Sequence, residues 1–235
     1  MRLLPVCALA AALTLAMPAP VPAAPADDLA RLCDDFWQGY VKSHPTYATQ
    51  MGDHRYDALL EDNSPAARVR ERARIAAVKA RALAIEAKSL SPADRVSRAA
   101  LAQEAQNQLD ELDCHFEDWV VDPRSGPQTD WMSLPDLTVI YTPDDAAHYV
   151  TRIRLMGPSI DMTIANLTRG LAKKRMATQA GVVAVLDQLD SLAAHATERW
   201  ELAKPATVPR SDWSNAQKIK FDDDAMLDAE FPPKT

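Results

Sequence analysis

Residues 64–119 read SPAARVRERARIAAVKARALAIEAKSLSPADRVSRAALAQEAQNQLDELDCHFEDW, and the fold turns on this stretch. Serine followed by proline opens it at Ser64-Pro65 and recurs at Ser91-Pro92. That pair joins a side-chain cap to a residue whose fixed φ suits the first helical turn. After the first signal, Val69, Ala73, Ala76, Ala80, Leu83, Ala87 and Leu90 recur in steps of four and three. After the second, Leu101, Ala105, Leu109, Leu112 and Phe116 repeat in the same way to about Trp119. Two long helices joined by a short turn predict an antiparallel hairpin.

The same period continues on both sides. Upstream, Leu29, Leu32, Cys33, Phe36, Trp37, Tyr40 and Val41 mark one helix face that ends at Pro45. Downstream, Thr142-Pro143-Asp144 opens a helix with Ala146, Tyr149, Val150, Ile153 and Met156 inward. Gly157-Pro158-Ser159 precedes another with Ile160, Ile164, Leu167 and Leu171, and a last one runs from Val182 to Trp200. Residues 121–142 carry Pro123, Gly126, Pro127 and Pro135, which leaves room for a short helix and none for a strand pair. The expectation is an all-α protein, an antiparallel bundle of about six to seven helices with a long irregular loop near 121–142. Residues 1–23 form a signal peptide, 24–204 the helical domain, and 205–235 a loosely ordered tail.

Met1 and Arg2, the apolar run Leu3 to Met17 and the triplet Val21-Pro22-Ala23 make up that signal, with an apolar run too short to span a membrane. Cys7 follows Leu-Pro-Val, which is not a lipid-attachment context. A periplasmic or secreted location follows, with no membrane partner after cleavage. Loss of Arg2 takes the 26 basic residues to 25 against 33 acidic ones, so the mature chain carries about −8. With no basic stripe and no glycine-rich phosphate loop, nucleic acid is excluded as a partner. Of the two remaining cysteines, Cys33 sits on an apolar stripe and Cys114 points away from one, so helical geometry argues against a bridge.

Candidate chemistry gathers in HPTYATQMGDHRYD, residues 44–57. Pro45 to Met51 is expected to form a short helix and Gly52 a left-handed cap, from which Asp53, His54, Arg55, Tyr56 and Asp57 emerge at a tight corner beside His44. Read structurally, Arg55 pairs with Asp53 or Asp57 and caps helix-end carbonyls. Read functionally, His54 with either aspartate orients a substrate or a metal in a cleft. The structural reading is preferred because no third ligand stands at a recognisable spacing. His148 and His195 lie opposite their apolar stripes, as solvated residues do. His115 and Cys114 are neighbours on a helix, about 100° apart, and cannot both reach one ion.

FWQGYVKSHPTYATQMGDHRYDALLEDNSPAAR resembles the beginning of the bacterial family known as domain of unknown function 885, through Phe36-Trp37, the His44-Pro45-Thr46 and Ala48-Thr49 elements, and Gly52 to Asp57. The resemblance continues through LSPADRVSRAAL and YVTRIRLMGPSIDMTIANLTRGLAKK to about Leu192, and departs at Arg175 to Gln179. It implies an exported all-α protein with the look of a zinc metallopeptidase whose His-Glu-x-x-Pro-Gly-His motif lies in a C-terminal half. This chain has no His-Glu dipeptide and no Pro-Gly-His, so no zinc ligand is carried over and no cofactor is expected here. The expectation is a truncated member, inactive alone, whose partner is a peptide-like ligand or the missing half. The alternative is a free-standing periplasmic helical binding or interaction module.

Overall fold

The computed structural model describes residues 24–138, 140–196 and 200–203, and within them every regular element is helical. The signal segment and the 205–235 tail read from the sequence lie outside the described residues. The elements are α1 (Pro25–Ser43), α2 (Pro45–Gln50), α3 (Pro65–Ala84), α4 (Pro92–Cys114), α5 (Pro127–Asp130), α6 (Leu134–Leu137), α7 (Pro143–Arg154), α8 (Met156–Ala172) and α9 (Gln179–Ala193). No helix among them is long and apolar enough to cross a membrane.

The starts follow the local chemistry. Ser64 and Ser91 accept from the backbone N–H of Ala67 and Asp94 at 3.2 and 3.1 Å. Thr142 and Asp145 cap each other's backbone reciprocally at the head of α7. The hairpin is antiparallel: Arg68 donates to the Leu112 carbonyl, Lys79 reaches Gln106, and Arg98 donates to the Leu83 carbonyl. Between α3 and α4, residues 87–89 form a 3-10 turn, so α3 ends six residues before the expected Leu90.

Two apolar clusters hold the layers. Leu29 and Leu32 of α1 meet Ile75, Val78 and Ala82 of α3 and Leu101, Ala102 and Ala105 of α4. A second cluster joins Leu134, Met156 and Leu202, with Trp131, Ile153 and Trp200 against it.

Three faces differ from the sequence reading. On α3 the buried row is Ile75, Val78 and Ala82, while Val69 is 70% exposed and Leu83 53%. Alanines surround this helix on every side, so their spacing does not define a face, and the two bulky residues, Ile75 and Val78, decide it. On α8 the inward residues are Met156, Asn166 and Gly170, while Ile164 and Leu171 are 56% and 60% exposed. On α1, Trp37 stands 40% exposed against Tyr40 and Tyr47.

Two helices are also shorter than expected. α4 stops at Cys114 because His115 takes a left-handed φ of 50°, and a 3-10 turn over Phe116–Asp118 follows. That break swings Asp118 inward, where Arg169 and Arg175 meet it at 2.5 and 2.9 Å. α9 ends at Ala193, short of Trp200. Cys33 and Cys114 are free thiols, one partly buried and one exposed.

Candidate functional site

A groove of about 1420 Å³ opens between α1, α2, α3 and α4 on one side and α5, α6 and α8 on the other. Its near wall begins at the end of α1. There His44 donates twice to the carbonyl of Tyr40, through its backbone N–H at 3.0 Å and its ring Nδ1 at 2.9 Å. A carbonyl only accepts, so the neutral ring carries its proton on Nδ1 and keeps Nε2 as an acceptor. The ring stacks on Tyr40 at 4.2 Å, and Tyr47 stands edge-on to Tyr40 at 5.6 Å.

Carboxylates line the same wall. Glu61 accepts from the backbone and hydroxyl of Thr46. Glu71 accepts from Ser43 at 2.9 Å and from Arg74 at 2.8 and 2.5 Å. Burial pushes the Glu71 carboxyl up, but the hydrogen bonds and charge of Arg74 and the Ser43 hydroxyl outweigh it and hold it below the usual carboxylate range. On the opposite wall, Ser159, Thr163 and Asn166 of α8 face the groove.

Of the residues singled out in the sequence, His44 lines this groove, with its neighbours Thr46 and Tyr47. Asp53, His54, Arg55, Tyr56 and Asp57 are not among its lining residues. They form the corner behind α2, where Gly52 adopts a φ of 81°. Arg55 grips Asp53 through two nitrogens, at 2.8 and 2.5 Å, and lies over the Tyr56 ring. Its side chain is more than half exposed. It therefore does not lock the corner, which is held instead by a residue far along the chain.

That residue is Arg152 of α7, fully buried. Its Nε donates to the Leu59 carbonyl at 2.8 Å, and its Nη2 donates to the Tyr56 carbonyl and to Thr49 Oγ1, each at 2.8 Å. Thr49 passes the contact on to Asp57 Oδ1 at 2.5 Å, and His54 Nδ1 meets the other Asp57 oxygen at 2.8 Å. Burial pushes the Arg152 guanidinium down, opposed by the charges of Asp57, Glu61 and Tyr149. One signal for it was in the sequence: Arg152 lies between Tyr149 and Met156 on the inward stripe of its helix.

His115, Glu117 and Asp118 place three ligand-type atoms within 4.8 Å of one another. Zinc does not fit them. Asp118 is held by Arg169, Arg175 and Lys173, and Glu117 by Arg68, so a divalent ion would enter a ring of four cations with a single imidazole to bind it. Burial pushes the Asp118 carboxyl up, but hydrogen bonds from Arg169 and Arg175 and the charge of Lys173 outweigh it and hold it low. Arg175 belongs to the stretch that departs from the family pattern, and here it is an anchor of that cluster.

These features define an all-α protein whose long helices wall a broad groove of mixed polar and apolar lining. The chain matches the family model described as a bacterial protein of unknown function (DUF885) over residues 45–231 and belongs to that family. No curated protein and no solved structure matches it. The match begins just after His44 and continues past the described residues.

Proposed function

We propose that this is an exported, peptide-binding member of its family, resembling one wall of a zinc metallopeptidase and bringing no catalytic zinc of its own among the described residues. The observation that carries the reading is the groove. At about 1420 Å³ it exceeds the roughly 300–1,000 Å³ of small-molecule sites. Its walls alternate rings, hydroxyls and carboxylates, and an extended backbone needs such donors and acceptors along its length. His44 Nε2 and Glu61 are acceptors for backbone N–H groups, and the Ser159 hydroxyl can donate to a carbonyl. Export rests on the amino-terminal sequence, and the peptidase character on the resemblance.

Purified protein titrated with short peptides of mixed composition is expected to bind them without cleavage and to carry well under one zinc per chain. One tightly held zinc that survives dialysis, with cleavage abolished by a chelator, would overturn the reading.

A second reading, a helical interaction module, is favoured by the outward apolar residues of α8 and α9: Ile160, Ile164 and Leu171, and Val183, Leu186 and Leu189. Uncovered apolar faces drive association. Sedimentation is expected to show concentration-dependent self-association, weakened by Ile164→Asp. A monomer at every concentration removes this second reading.

A further inference from the structure

We propose that residues 210–221 of this chain, RSDWSNAQKIKF, occupy its own groove, so that a peptide binds there by displacing a resident segment. The inference rests on the peptide-binding reading above and adds the regulation of that site.

The path of the chain carries the first part of the argument. Tyr149 Oη donates to the Leu202 carbonyl at 2.7 Å, and Leu202 packs in one cluster with Leu134 and Trp131. Leu134 and Trp131 also line the groove, so the chain at Leu202 is held against the groove wall. Residues 204–209 join Ala203 to Arg210 and span at most about 25 Å when extended. A segment tethered that closely has an effective concentration on the order of millimolar, and a free peptide of equal affinity competes against it. The family match over residues 45–231 includes this segment.

Complementarity carries the second part. Of the described residues that line the groove, seven are acidic and four basic, a surplus that favours a cationic occupant. Tyr47, Leu59, Phe116 and Val120 line it as well and stand exposed, and such apolar surface gains from being covered. Residues 210–221 meet both demands. Arg210, Lys218 and Lys220 stand against the single acid Asp212, and Trp213, Ile219 and Phe221 are interleaved with them. The acidic run Asp222 to Asp224 follows at once. The charge of the groove repels that run, which sets the end of the occupying stretch at Phe221.

The test uses the full chain and one short peptide of mixed composition as probe. Zero-length carbodiimide coupling joins a lysine amine to a carboxylate. It is expected to link Lys218 or Lys220 to Glu61, Glu104, Glu111 or Asp130 within one monomer, and excess probe is expected to suppress those links. The double variant Trp213→Ala/Phe221→Ala leaves the groove walls intact. It is expected to lose the links and to bind the probe about tenfold tighter, because the resident competitor is weakened. While the probe binds, three results each overturn the resident segment and leave peptide binding standing. These are no links to the groove, links only between two copies, and a probe affinity that the double variant leaves unchanged. Groove links with no probe bound by either protein uphold the resident segment and sink the peptide reading. Neither links nor probe binding sinks both.

Discussion

Arg152→Met is expected to destabilise the protein by about 3 kcal/mol, the usual scale for removing one partner of a buried charge pair, and to lower the melting temperature by roughly 6–12 °C for a chain of this size. The methionine fills most of the volume, so the loss is electrostatic and hydrogen-bonded in origin. Asp57 loses the cation 3.6 Å from its Oδ1, and the Leu59 and Tyr56 carbonyls lose their donor. Asp57→Asn in the same background is expected to recover part of the loss, because the orphaned charge is gone while the unmet carbonyls remain. Arg55→Ala serves as the comparison. Its partner Asp53 can turn to water, so the melt is expected to shift little. Thermal denaturation followed by circular dichroism orders the three variants. A melt of Arg152→Met no lower than that of Arg55→Ala would mean that the corner is not held from α7.

Gly170→Ala is the second large effect, and its sign is the informative part. On helix propensity alone, alanine in place of a mid-helix glycine gains up to about 1 kcal/mol. Here the added Cβ would lie 1.7 Å from the Asp118 carbonyl oxygen and 2.7 Å from its carbon. Both are backbone atoms, which cannot rotate away as a side chain can. The 3-10 turn must then retreat from α8, and Asp118 must leave Arg169 and Arg175. A net loss of about 2–4 kcal/mol is expected, in the range of forced overpacking and a broken buried network. Gly157→Ala in the same helix meets nothing within 4 Å, so it is expected to be neutral or slightly stabilising. Chemical denaturation of the two variants side by side decides the matter. Equal stabilities would show that the close approach of α8 to the turn is not a constraint.

Much of the corner at 53–57 was readable because its contacts are local. The Asp53–Arg55 and His54–Asp57 pairs span two and three residues, distances at which sequence spacing implies proximity. Arg152 lies 103 residues from Thr49. Its one trace in the sequence is a charged residue inside an apolar stripe. The groove left no such trace. His44 comes from the junction of α1 and α2, and Glu71, Glu104 and Asn166 from three further helices, and no period or motif connects them. Asp118 was hidden for another reason: nothing at His115, neither glycine nor proline, announces that α4 stops and turns there.

What the sequence determined by itself was the helical class and where the helices begin. Ser64-Pro65, Ser91-Pro92 and Thr142-Pro143 act on backbone groups within about one turn, so their effect does not depend on the rest of the molecule. The α7 stripe was equally safe, because its large apolar residues all lie on one side. Which face of α3 and of α8 turns inward was decided only by the tertiary structure. Alanine gains little from burial on any side of α3, so bulkier neighbours on α1 and α4 choose for it. On α8 the apolar stripe of Ile160, Ile164 and Leu171 is overruled by Asn166, which donates to the Asn63 carbonyl, and by Gly170, which lets the Asp118 backbone in. A buried polar group must find its partner and a close approach must find its glycine. Both requirements are set by segments far away in the chain, so they exist only once the helices have packed.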